Sequence, residues 1–168
     1  DTMSRVNKSN QYYNNRKNDL KENKAKRTPI CIVVDMSRSM FTRDFSYRGD
    51  ERQRIERFND GIKVFLDEVK ADKRIEDSAE IAIVGYGYQA SWISMFEPIY
   101  NIDEIVLAAT GEAGNMGAGV LKGVEILKKE KEFLRENRIK YNQPWLVIFS
   151  DGKATGGKEV EPKVVRET

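Results

Sequence analysis

The chain has 168 residues, 39% hydrophobic and 33% charged, with 29 basic against 27 acidic side chains for a formal charge of +2. That is one soluble, globular domain's worth of chain with a heavily charged surface, and its charge balance does not favour nucleic acid as a partner. It contains no histidine and a single cysteine, which removes the Ser-His-Asp and Cys-His nucleophile arrangements, histidine-ligated zinc and any intramolecular disulfide.

Residues 1–27 form a polar leader rich in Asn, Lys and Arg, with Val6, Tyr12, Tyr13 and Leu20 as its few apolar anchors. The expectation is a flexible or loosely helical segment. Its sharper reading is a docking arm for nucleic acid or an acidic partner, though its basic residues lack the regular aromatic interleaving of a base-stacking platform. The remainder, 28–168, reads as the domain proper. Thr28–Asp35 is a β-branched run bounded by Pro29, hence a strand. Cys31 lies inside it and reads as a buried small hydrophobe. With no disulfide, no apolar run long enough to span a membrane and no signal-like opening, a cytoplasmic location is expected.

A polar loop over 41–51 leads to an amphipathic helix over 52–71, in which Ile55, Phe58, Ile62, Phe65, Leu66 and Val69 make one stripe. The run Glu80–Tyr88 is nearly continuous in apolar character and so reads as a central strand. The short link Gly87-Tyr-Gln-Ala90 predicts a hairpin to an antiparallel edge strand over 91–96, because a parallel partner needs a long crossover. Three glycines in the loop 108–117 imply unusual backbone angles or a close approach. The second long helix is expected over 118–137, with Val120, Leu121, Val124, Leu127 and Leu134 inward. The apolar run 145–150 then reads as a strand buried on both faces, with Trp145 and Phe149 in the core. The loop 151–157 follows, and a further helix is expected to begin at Lys158. An open sheet of this kind ordinarily continues past such a loop, so the C-terminal part reads as truncated.

Strands alternating with long helices predict an α/β fold, a three-layer sandwich around a mostly parallel sheet. In such sheets ligands bind outside the carboxyl ends of the strands. Asp35, Ser37 and Ser39 stand at one such end, and Asp151 at another. Carboxylate and hydroxyl oxygens without nitrogen or sulfur select Mg²⁺, Mn²⁺ or Ca²⁺ over zinc. An ion that keeps open positions can accept a carboxylate from a partner protein, which points to adhesion rather than catalysis.

The pattern Asp35-x-Ser37-x-Ser39 with the later Phe149-Ser-Asp-Gly152 resembles the von Willebrand factor A domain. The stretches 30–40, 58–68, 80–87 and 141–152 resemble more narrowly its bacterial TerY-type branch, which is associated with tellurium resistance and stress response. The resemblance spans about residues 28–160. It implies a Rossmann-like sheet and a metal-ion-dependent adhesion site (MIDAS) on Asp35, Ser37, Ser39 and Asp151. Two positions depart from the pattern. Arg38 stands where the family has glycine between the serines. Gly114 falls where the family supplies a threonine ligand, which leaves Asn115 as the replacement oxygen and Thr110 four residues away.

The leading functional expectation is a non-enzymatic interaction module that binds an acidic residue of another protein through this metal. A metal-free scaffold with a degenerate site is the alternative. A metal-dependent phosphohydrolase is a weaker one, since Ser37 stands where such an enzyme wants a second carboxylate.

Overall fold

The computed structural model describes residues 2–23, 25–43 and 52–150, with side chains from residue 10 onward. Its frame is a four-stranded mixed sheet. The strands are β1 (Thr28–Asp35), β2 (Ala79–Tyr86), β3 (Ala90–Pro98) and β4 (Trp145–Phe149), in the order β3-β2-β1-β4. β1 runs parallel to both β2 and β4, while β2 and β3 form the antiparallel hairpin that the link at 87–90 predicts.

Every residue of β1 is buried, as is every residue of β2. A strand covered on both faces needs no polar alternation, which is why its sequence reads as a continuous apolar run. The pleat sends Ile30, Ile32 and Val34 to one face, against Ile55, Ile62, Leu66 and Val69 of α2 (Arg54–Ala71). It sends Cys31 and Val33 to the other, where they cluster with Ile126 and Leu127 of α4 (Met116–Glu136). The short α3 (Lys73–Ser78) links α2 to β2.

α4 approaches the sheet closely because its inner stripe is partly glycine. A Cβ on Gly123 would lie 2.8 Å from Leu146 and 2.9 Å from Val33, and one on Gly119 would run into the Tyr86 ring. Val120, Ile126, Leu127 and Leu134 complete the stripe, but Leu121 is 57% exposed. The sequence pattern places it inward. With Val120, Gly123 and Leu127 fixed on the inner face, the 100° step per residue carries Leu121 off it.

The apolar run 145–150 also departs from expectation. Among the described residues β4 pairs only with β1, so it is an edge: residues 146–149 are half-buried and Trp145 is 38% exposed. An apolar run alone does not distinguish an edge strand from a central one.

The leader departs furthest. α1 (Thr2–Glu22) is a helix docked on the body. Arg16, 7% exposed, donates to both oxygens of Glu130 at 2.9 and 2.5 Å and to Glu80 at 2.5 Å. The Arg27 Nε lies 3.7 Å from the other Glu80 oxygen. The Tyr12 hydroxyl donates to the Phe96 carbonyl at 2.7 Å, and Leu20 is buried. Burial first of all pushes the Glu80 carboxyl up to about 7, against the pull of Arg16. The segment reads as flexible because its main anchor is a charged residue, and charged residues enter cores only when paired.

Candidate functional site

The carboxyl end of β1 delivers Asp35, 1% exposed, to the rim of the sheet. One Asp35 oxygen accepts the Ser37 N–H at 2.9 Å, which turns the chain sharply off the strand. The Ser37 hydroxyl, also buried, then lies 3.1 Å from that of Ser39, and a 3-10 turn over Arg38–Phe41 follows. Asp35 is thus tied to the Ser37 backbone, and the Ser37 hydroxyl to that of Ser39.

The glycine loop closes over this end. The Thr110 N–H and hydroxyl both donate to the Met36 carbonyl, at 2.7 and 3.0 Å. Thr110 therefore braces the loop through the backbone. Arg38 is bound twice, its N–H to the Glu112 carbonyl at 2.6 Å and its Nε to the Gly111 carbonyl at 3.0 Å. Its side chain is exposed, so a positive charge stands fixed at the rim. Gly111 has φ +80°, a left-handed angle that favours glycine.

Asn115 has a structural task. Its side-chain oxygen accepts the Ala118 N–H at 3.1 Å as the N-cap of α4, and its own N–H donates to the Gly87 carbonyl. This cap starts the helix two residues earlier than its apolar stripe implies. Gly114 is buried beside it. Asp151, the remaining residue of the expected set, lies outside the described residues, as do Tyr47, Gly152 and Lys153.

Glu112 belongs to the rim but does not stand out in the sequence. Its carboxylate accepts the Tyr88 N–H at 3.2 Å and lies over Gly87, where a Cβ would come within 2.6 Å of it. Gly87, a residue without a side chain beside the hairpin turn, is the trace of that contact. Tyr88 next to it is 61% exposed.

Chemically the rim offers a buried carboxylate, two neutral hydroxyl oxygens, an exposed acid and a fixed guanidinium. All candidate ligand atoms are hard oxygens. Among the described residues no group of three or more His, Cys, Asp or Glu side chains gathers as a metal cluster. Cys31 is no nucleophile: burial pushes its thiol up to about 12.

No protein-family model matches the chain, and no curated protein matches it. Among solved structures it is similar to the PilB minor pilin from Streptococcus sanguinis, with a TM-score of 0.54 and 18% identity over 76% of this chain and 30% of that one. A point mutant of the same pilin matches with a TM-score of 0.50 and 15% identity over the same shares. An uncharacterized membrane spanning protein from Vibrio fischeri matches with a TM-score of 0.48 and 19% identity over 63% of this chain and 52% of that one. The chain thus spans about a third to a half of the structures it resembles. These findings overturn the assignment to the von Willebrand factor A domain and its TerY-type branch. The tellurium-resistance, stress-response and MIDAS associations fall with it, and the metal-binding one loses the family support it drew on. What the chain shares with the two pilin structures is a fold.

Proposed function

We propose that this chain is a non-enzymatic protein-interaction module whose strand-end rim receives an acidic side chain of a partner protein. The doubly covered sheet serves as a Rossmann-like frame, with the contact crevice outside its strand carboxyl ends. The observation that carries the reading is the connected set Asp35, Ser37 and Ser39, held against the glycine loop beside an exposed Arg38. The chain has no histidine for general-base work, and a hydroxyl stands where phosphoryl chemistry wants a second acid.

Two chemistries can hold the partner's acid here. Asp35, Ser37 and Ser39 suit a Mg²⁺ ion, which takes one or two carboxylates and keeps several waters. Such an ion supplies the positive charge that bridges to the partner. Arg38 supports the second reading, direct contact without metal, since its backbone and Nε anchors leave the end of the guanidinium to meet a carboxylate.

Thermal unfolding with Mg²⁺ tests the first chemistry. At about ten times the dissociation constant, linkage stabilises the fold by about 1.4 kcal/mol, a rise of about 3–6 °C. Asp35→Ala should abolish that rise. No rise in the wild type assigns the contact to Arg38 and removes the metal. Asp35-dependent turnover of p-nitrophenyl phosphate would overturn the non-enzymatic reading altogether.

A further inference from the structure

We propose that the groove between the C-terminal end of α1 and the segment leaving α4 is a binding site for a compact polyanion bearing clustered phosphate groups. The groove is a cavity of about 490 Å³ rimmed by Lys17, Lys21, Lys26, Arg138 and Lys140, over an apolar floor of Leu20 and Ile139. Its size falls in the range of small-molecule sites. Among the described residues no carboxylate lines it and none of these five cations is in an ion pair. Lys17, Lys21 and Lys26 come from the basic leader. Folding brings them to Arg138 and Lys140, more than a hundred residues along the chain.

The plainest account of such cations is that they offset helix dipoles, since Lys21 lies in the last turn of α1 and Arg138 just beyond α4. The magnitudes do not match. Two helix C-termini contribute about half a negative charge each, together about −1, against five positive side chains. Lys26 and Lys140 lie outside both helices.

Arg138 supplies an independent observation. It has φ +57° and is the one non-glycine residue with positive φ among those described. The Ile139 N–H bonds to the Leu134 carbonyl at 2.9 Å and the Arg138 N–H to the Arg135 carbonyl at 3.0 Å, the pattern of a Schellman cap. Glycine is the usual residue at the left-handed position of that cap. An arginine kept there, at the lip of a cavity already rich in lysine, is a strained backbone position of the sort that marks ligand sites.

Phosphate fits better than a peptide. An extended peptide advances about 3.3–3.6 Å per residue, so a stretch short enough for the cavity brings only a few carboxylates. A short phosphate chain concentrates its charge in less length, and lysine ammoniums, as compact point charges, suit it. The groove lies at the opposite end of α4 from the rim. That helix has 21 residues, so the two sites are about 30 Å apart and independent.

Isothermal titration of the full chain with sodium tripolyphosphate at about 50 mM salt tests this. One saturable site is expected, weakening about tenfold or more by about 200 mM salt, where the Debye length is shorter. Arg138→Gly should weaken binding about fivefold or more while raising the melting temperature, because glycine takes the left-handed angle freely. Lys140→Ala should also weaken it, and Lys63→Ala on α2 should leave it unchanged. No saturable binding overturns the site, as does equal weakening by Lys63→Ala or none by Arg138→Gly and Lys140→Ala. Tighter binding of a hexaglutamate peptide than of tripolyphosphate overturns the ligand class.

Discussion

Replacing Arg16 with methionine keeps most of its volume and removes its charge, which makes it the sharpest probe of how α1 is held. The side chain makes three charge-assisted bonds, at 2.9, 2.5 and 2.5 Å, to two carboxylates that are themselves nearly buried. At about 1.5–3 kcal/mol each, the gross interaction is about 4.5–9 kcal/mol. Two effects reduce the net loss. Protonation relieves the stranded carboxylates, and the Arg27 Nε at 3.7 Å still faces Glu80. Breaking a buried ion pair on one side costs about 3–5 kcal/mol, so the variant should fall within that range. For a chain of this size the melting temperature drops by about 6–20 °C. The pH dependence gives a second reading. Glu80 titrates at about 7 in the fold because it is buried, above the ordinary 4.5 of the unfolded chain. The folded state therefore holds the proton more tightly, and stability declines as pH rises from 4.5 to about 7. Without Arg16 that decline should extend to higher pH. Urea unfolding at several pH values measures both quantities. A loss under about 1 kcal/mol, or an unchanged slope, would show that α1 is not held through these charges.

Three further outcomes follow from the packing. Gly119→Ala gains about 1 kcal/mol of helix propensity but drives a methyl into the buried Tyr86 ring and to 3.1 Å from Val33. Overpacking of this kind costs about 1–3 kcal/mol, so a lower melting temperature is expected, and a higher one would refute the close approach of α4. Asn115→Ala should cost about 1 kcal/mol in urea unfolding through the lost cap, with Asn115→Ser recovering most of it. If Asn115 only caps the helix, any Mg²⁺ response will be the same in Asn115→Ala as in the wild type. Cys31, fully buried with its thiol pushed up to about 12, should react with a thiol reagent only at the rate of unfolding. Rapid labelling of the native protein would contradict the burial of β1.

β1 is legible in the sequence because a strand covered on both faces leaves an unbroken apolar run, and the run stops at Asp35, where the strand ends and the chain turns off the sheet. The hairpin is legible because four residues are too few for a parallel crossover. α1 is illegible for the opposite reason. Its docking rests on Arg16, whose partners lie 64 and 114 residues away, and no local pattern announces a charged residue that will be buried. The edge position of β4 depends on which strands pair with it, and that is not a local property either. At the rim, Asp35, Ser37 and Ser39 are adjacent in sequence, so their convergence follows from strand geometry and a single turn. Glu112 arrives through a left-handed glycine, and Asn115 has its oxygen turned back to α4. Both outcomes depend on loop backbone angles that composition alone does not set.

The reach of Arg16 also sets an order of events during synthesis. α1 leaves the ribosome before the elements it docks on, and Glu130, the partner it grips with two bonds, is made 114 residues after Arg16. At about 5–20 residues per second that is a wait of about 6–23 s. Through that interval the helix has no ionic partner on α4, and only Glu80 of β2, made 64 residues after Arg16, can meet its charge. α1 is thus among the last elements to be fully secured, and a nascent chain halted before α4 carries it without the grip on Glu130.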